Sequence, residues 1–396
     1  MAADFAPASA SSGIGRSELV RLTAAKGVTN TGWRWLPFFL PTLALAFDSS
    51  TAVLALLLGV AEAGGIATLV AGRWLDAGRE RSVIMVALGT VIAGSLVALQ
   101  GTIWSFAVAA VLLGAGSAFV AVGGHAWISA RVPFDRRARF IGVYEMSWAS
   151  ALLVGAPIVA VVITWFGWRG PFIAVAIAGL VAVVGVATIA DRATTGGPPP
   201  VPQVRGRRVK LTGDAWLIIA ISAAIAMAGL TTIAVAGTWL DEALGVSTGG
   251  VGLVAMSFGV AELTASSSSS IFADRRGKRF TMQVAAVAVL AGLAIMSSAG
   301  SSLLVGAIGL LLFFLGFEYA IVTSFSLVSE AMVEARGHVL GVNTAVGTVA
   351  RGSGVAAAGI LYERFGIAGP AALSAIGAGL GLVLLTVLAR RRPDLA

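Results

Sequence analysis

Gly59-Val60-Ala61-Glu62 returns 200 residues further along the chain as Gly259-Val260-Ala261-Glu262. Other marks return around it. Gly78, Gly142-Val143, Gly167 and Pro171 recur at a constant offset of 199 as Gly277, Gly341-Val342, Gly366 and Pro370. With 50 glycines in 396 residues, one matched glycine carries little weight. A tetrapeptide, and an offset held across several apolar segments, point to an internal duplication. In each copy a glutamate is set into an apolar run, and that decides the kind of fold to look for.

The bulk composition agrees. Hydrophobic residues make up 58% of the chain and charged residues 12%, and the mean hydropathy is +0.93. Soluble domains carry about 25% charged residues, so this chain has too few to cover a water-facing surface. About 20 apolar residues in a helix cross a bilayer core of about 30 Å. In lipid the backbone must satisfy its own hydrogen bonds, and long apolar runs exclude the alternating strands of a barrel. The expected class is all-α and polytopic. There is no cysteine, and His125 and His338 are the only histidines. No thiol chemistry, metal site or cofactor is expected.

The net charge of +8 is distributed in short basic clusters between apolar runs. They hold Arg73, Arg79 and Arg81; Arg131, Arg136, Arg137 and Arg139; Arg205, Arg207, Arg208 and Lys210; Arg275, Arg276, Lys278 and Arg279; and Arg390, Arg391 and Arg392. Alternate connections hold only Arg169 and Arg364. This positive-inside pattern places the clusters and both termini in the cytoplasm. It assigns the charges to anionic lipid and not to nucleic acid. Twelve transmembrane helices are predicted, as two pseudo-symmetric six-helix bundles at 16–190 and 214–392. The connection at 191–213, with Gly196-Gly197-Pro198-Pro199-Pro200 and a basic run, reads as an extended cytoplasmic linker. Residues 1–15 read as a disordered tail and 393–396 as a short one.

Between the second and third spans stands Gly72-Arg73-Trp74-Leu75-Asp76-Ala77-Gly78-Arg79-Glu80-Arg81, and between the eighth and ninth Asp274-Arg275-Arg276-Gly277-Lys278-Arg279. These loops resemble the hallmark motif of the major facilitator superfamily. The stretch from Gly142 through Gly155-Ala156-Pro157 to Phe166-Gly167-Trp168-Arg169-Gly170-Pro171-Phe172 is similar to its twelve-helix drug and sugar efflux branch. The resemblance implies a transporter that works as a monomer. It gives Asp76, Arg79, Arg81, Asp274, Arg275 and Lys278 the role of gating loops. The first loop is one residue short between Asp76 and Gly78. The fifth-span match is partial, and the arginine usual in the fourth helix is replaced near Ala110. Those departures bear on direction and proton route, not on fold.

Charges inside spans are costly and face a cavity or a partner. Arg34, Glu62, Glu145, Glu262, Glu318 and Arg351 lie within predicted helices one, two, five, eight, ten and eleven. At about 1.5 Å of rise per residue, Arg34 matches Glu62 in depth, and Glu318 matches Arg351. Those pairings leave Glu145 and Glu262 without a cation. Desolvated carboxylates can exchange protons near neutrality, so proton coupling is expected, with Glu262 the first candidate. The pairs can equally serve only to fasten helices. Thr344, Thr348 and Arg351 share a helical face and can line a substrate path. Trp148, on Glu145's face, can stack on an aromatic or cationic solute. The expectation is a carrier of small organic molecules in the inner membrane, exporting against protons. Import of a sugar or organic anion, with Arg34 and Arg351 binding the anion, is the alternative. No phosphate-binding loop, serine elbow or sizeable soluble domain supports an enzyme.

Overall fold

The structure is a computed structural model that describes residues 15–132, 134–189, 210–332 and 335–392. The predicted N-terminal tail, most of the linker and the C-terminal tail lie outside the described residues. Every regular element among the described residues is helical. In chain order they are α1 (Arg16–Arg34), α2 (Leu40–Ala46), α3 (Thr51–Glu62), α4 (Thr68–Asp76), α5 (Glu80–Ala98), α6 (Ile103–Arg131), α7 (Phe134–Ser150) and α8 (Ala156–Phe166). There follow α9 (Arg169–Ala187), α10 (Gly213–Glu242), α11 (Thr248–Arg276), α12 (Lys278–Ser298), α13 (Leu303–Glu330), α14 (Arg336–Phe365) and α15 (Ala368–Arg391).

Eleven helical stretches among the described residues are long and apolar enough to cross a membrane. The predicted first span is the exception. It is divided between α1 and α2 by a 3₁₀ turn at Leu36–Phe39. Pro37 and Pro41 have no N–H to donate, so the α-helical ladder cannot run through this region. The predicted fifth span joins α7 to α8 through a π-helical turn at Ala151–Gly155. Pro157 stands at its far edge, where a missing donor is accommodated by a widened turn.

Several repeated glycines occupy repeated backbone positions. Gly78 and Gly277 have φ of 71° and 85°, and Gly167 and Gly366 have 67° and 58°. Left-handed residues end helices cheaply only when no Cβ is present. Side-chain exposure follows a bilayer pattern too. Val86 on α5, Val184 on α9, Val287 on α12 and Val383 on α15 point outward, exposed apolar residues that lipid would cover.

Packing repeats along with sequence. On α1, Thr31 fits into the space a Cβ at Gly155 would fill, 2.6 Å from its Oγ1. On α10, Thr231 stands in the same relation to Gly354, at 2.4 Å. The two contacts are 199 to 200 residues apart in sequence, so the duplication extends to how each half packs inside.

Candidate functional site: a duplicated contact between the chain's halves

The repeated tetrapeptide lies where the two halves of the chain touch. A Cβ on Gly59 of α3 would sit 2.5 Å from the Gly352 carbonyl and 2.6 Å from the Ala356 nitrogen on α14. A Cβ on Gly259 of α11 would sit 2.5 Å from the Leu153 nitrogen in the π turn. Leu153 and Gly352 are themselves 199 residues apart. Two turns toward the Glu363 end the pattern holds again. Gly359 admits Ala52 at 2.5 Å, and Gly252 admits Ala160 at 2.6 Å. Glycine at these points lets two backbones meet, and small-residue contacts of this kind are how helices associate in lipid.

Three residues beyond Gly59 and Gly259, on the same helical face, stands the glutamate. Glu262 on α11 receives a two-pronged contact from Arg34 at the end of α1. Arg34 Nη1 donates to Oε2 at 2.8 Å, and Nη2 donates to Oε1. Nη1 also donates to the Trp148 carbonyl at 2.6 Å, and the guanidinium lies 4.2 Å over the Trp148 ring. Glu62 on α3 receives Arg351 Nε of α14 at 3.2 Å, while Arg351 Nη2 donates to Thr348 Oγ1 at 3.1 Å. Both ion pairs therefore join the first half of the chain to the second.

These partners differ from the expected ones. Arg34 pairs with Glu262 and not with Glu62; Arg351 pairs with Glu62 and not with Glu318. Matched depth fixes height along the bundle but not direction around it, and the duplication puts Glu62 and Glu262 at one height. Glu318 is 7% exposed and lies near enough to Glu262 and Arg34 to feel both charges. Among the described residues its carboxyl makes no ion pair or hydrogen bond. Of the expected cavity residues, Thr348 is buried at the pair, whereas exposed Thr344 donates to its own helix at the Leu340 carbonyl.

Glu145 was expected to lack a cation and does not. Its Oε1 accepts from Lys26 Nζ of α1 at 2.5 Å and lies 2.6 Å from His125 Nε2 of α6. Beneath it Asn30 bonds to Ser147 and Ser117, at 3.4 and 3.0 Å. Lys26 was not among the residues singled out from the sequence. The signal was present, since Lys26, Asn30 and Arg34 recur every four residues on one face of α1. This seam is tightly filled: a Cβ on Gly124 would lie 2.1 Å from the Tyr144 hydroxyl, which donates to the Val120 carbonyl at 2.6 Å. Gly124→Ala should therefore cost about 1–3 kcal/mol by overpacking. Adding Tyr144→Phe should recover only a small part of that loss, because the ring Cζ would still stand 2.2 Å from the added carbon; thermal melting of the single and double variants in detergent checks it.

The loop residues are spread more widely. Asp76, Arg79 and Arg275 are exposed, and Asp76 makes no ion pair among the described residues. Arg81 donates to the Ile189 carbonyl at 3.1 Å, tying α5 to the end of α9. Lys278 pairs with Glu330, tying α12 to the end of α13. The side chain of Asp274 lies outside the described residues. At the opposite end the halves are in firm contact. A Cβ on Gly237 of α10 would sit 1.8 Å from the Phe38 carbonyl, and Ala52 N–H donates to Glu363 Oε1 at 3.0 Å. Phe38 and Gly237 are also 199 apart, so the pseudo-twofold relation passes between them.

A helical membrane protein whose two halves meet through duplicated contacts, with charges buried at the meeting surface, has the architecture of a carrier. The sequence model of the Major Facilitator Superfamily matches residues 22–354 and 217–396, and the chain belongs to that superfamily. Curated protein sequences give no significant match. Among solved structures, a D-xylose-proton symporter is similar at 15% identity and a TM-score of 0.73, over 93% of this chain and 96% of that one. The nucleoside transporter NupG is similar at 13% identity and 0.71, over 94% and 99%. A bacterial homologue of the human lysosomal transporter Spinster, inward-facing and unoccupied, is similar at 15% identity and 0.70, over 96% of each chain. At these identities the likeness is one of fold. The chain is a transporter of small molecules and not an enzyme.

Proposed function

We propose that the protein moves a small organic solute across the inner membrane by alternating access, exporting it in exchange for protons. Two six-helix bundles, 16–190 and 214–392, would rock about the seams at Gly59–Gly352 and Gly259–Leu153. The single observation that carries this reading is the pair of arginine–glutamate contacts joining the halves at duplicated positions, one of them buried. A mobile interface needs attachments that can be remade. An ion pair holding two rigid parts is released when its acid takes a proton or its arginine takes a substrate, so either event shifts the balance of states.

Glu262 is the first coupling residue in this scheme. Glu318 beside it is a second carboxyl without a cation of its own. Arg34, stacked on Trp148, would hold or release the solute. By the distribution of basic clusters both termini face the cytoplasm. The Glu363 end, where the halves touch, then faces outward, and a carrier closed there would open inward. The lipids in contact with the basic loops would be anionic, and a single copy would suffice for transport. The alternative, import of an organic anion, is favoured by one observation: the Arg351 side chain stays about one-third exposed beside Glu62.

Proteoliposomes with an imposed pH gradient test the reading. Solutes drawn from drugs, sugars and organic acids are first selected by thermal stabilisation of purified protein. Wild type should move the selected solute against the proton gradient, and collapse of the gradient should stop it. Glu262→Gln should keep solute exchange while losing gradient-driven accumulation about tenfold or more, the loss of a coupling free energy above about 1.4 kcal/mol. Undiminished accumulation in that variant would remove Glu262 from the mechanism.

A further inference from the structure

The Lys26–Glu145–His125 cluster takes no part in the duplicated contacts. The positions 199 residues on from Lys26, His125 and Glu145 hold Ile225, Ser324 and Thr344, so the second half has no counterpart. The duplication therefore does not account for it. The cluster brings three titratable side chains from three helices onto one carboxylate oxygen. Its members also differ sharply in access. The Lys26 side chain is 2% exposed and lies 4.5 Å over the Tyr144 ring, whereas those of His125 and Glu145 are 42% and 43% exposed.

The chemistry divides the roles. Ionised Glu145 can only accept, so the His125 Nε2 beside its Oε1 carries a hydrogen and donates it. That leaves Nδ1 with a free lone pair on an exposed ring. Imidazole is the side chain that ordinarily changes charge between about pH 5 and 8. A proton taken up at Nδ1 turns Lys26⁺ and Glu145⁻ with a neutral ring into one anion shared by two cations. The exposed imidazolium tolerates that sharing. The buried ammonium does not, because a buried charge needs its full partner. Other charged groups on neighbouring elements are engaged elsewhere: Glu80 of α5 lies 3.7 Å from Arg131 of α6, and Arg73 of α4 stacks on Trp74. Lys26 stands eight residues before Arg34 on α1, and Glu145 three before Trp148 on α7. Loosening the Lys26–Glu145 rung therefore acts on the same two helices that present Arg34 to Glu262.

We propose that His125, Glu145 and Lys26 form a proton-binding site, loaded at His125 from the open side, whose occupancy disfavours this conformation by uncoupling Lys26 of α1 from α7. The site is separate from Glu262 and needs no substrate to act.

The test exploits the two histidines and the absence of cysteine. In the His338→Gln variant, ¹⁵N-histidine spectra in nanodiscs report the protonation state of His125 alone, and protonation of its ring should track closure of the open side. Spin labels at Ala77→Cys, just after α4, and Arg276→Cys, the last residue of α11, read the opening. The open population should fall by about threefold or more from pH 8 to pH 5. His125→Gln should flatten that response. Lys26→Met should flatten it too while leaving the histidine titration in place, which keeps the test decisive if His125→Gln folds poorly. A ring whose protonation does not track the change in opening overturns the proposal, and so does a wild-type pH response surviving in Lys26→Met. Neither outcome depends on whether Glu262 couples transport.

Discussion

Gly237→Leu is expected to abolish net transport and leave the chain unable to close at its Glu363 end. The Phe38 carbonyl stands 1.8 Å from where the first added carbon would go. The obstacle is backbone, held in the 3₁₀ turn before Pro41, so it cannot swing aside as a side chain would. Overpacking a filled site costs about 1–3 kcal/mol, and a leucine at this distance belongs at or above the upper end. Three kcal/mol corresponds to a shift of about 150-fold between two states. That is enough to empty the closed form of a carrier whose states are near balance. The variant should still fold, because the clash is with the other half of the chain and not within its own. Gly249→Leu is the control, since nothing lies within 4 Å of a Cβ there. Reactivity of a cysteine introduced at Leu58, buried on α3, measures opening. It should rise about tenfold or more in Gly237→Leu and stay at the wild-type level in Gly249→Leu. Wild-type transport in Gly237→Leu would mean that this contact does not form in the working cycle.

How far the sequence could be read is clear from particular residues. The tetrapeptide announced the duplication because glycine and glutamate are rare bedfellows inside a span, and each has a separate physical task here. Glycine admits the opposing backbone, and glutamate meets the opposing arginine. The ends of helices were legible for a similar reason: Gly167 and Gly366 need left-handed backbone, and few other residues accept it. The break in the first span falls at Pro37 and Pro41. The structure makes it two helices and a 3₁₀ turn, since two missing donors four residues apart leave no α-helical turn between them.

Partnership was not legible. Counting residues gave each charge a height, and at that level Arg34 has two acids to choose from. Glu62 and Glu262 are copies of one position, so no count along the chain can separate them. The choice is made by which helices of one half face the other, and apolar spans carry little of that in their composition. Lys26 shows the opposite failure. Its spacing from Asn30 and Arg34 marks a polar stripe on α1, but the stripe shows only when the polar residues are followed along with the charges.

The Arg34–Glu262 contact lends itself to a cycle of variants with an equally large expected effect. Arg34→Met alone should leave Glu262, 3% exposed, facing Glu318 with no cation between them. Removing one partner of a buried pair costs about 3–5 kcal/mol, while replacing both with apolar groups of similar volume is often neutral or stabilising. Arg34→Met should thus lower the melting temperature sharply, and Arg34→Met with Glu262→Met should return most of it. Transport should be lost in both. Stability and activity then separate: the pair's absence is tolerated by the fold and not by the cycle. If the double variant were as unstable as the single, the loss would trace to Arg34's other bond, the one to the Trp148 carbonyl, and the contact between halves would be incidental to it. If the double variant carried solute at the wild-type rate, the ion pair would be a fastening with no part in transport. The parallel cycle at Arg351 and Glu62 should give the smaller stability change, because that arginine is already about one-third solvated and exposed charges contribute less. Unequal costs at two duplicated positions would mark Arg34–Glu262 as the tighter of the two attachments between the halves.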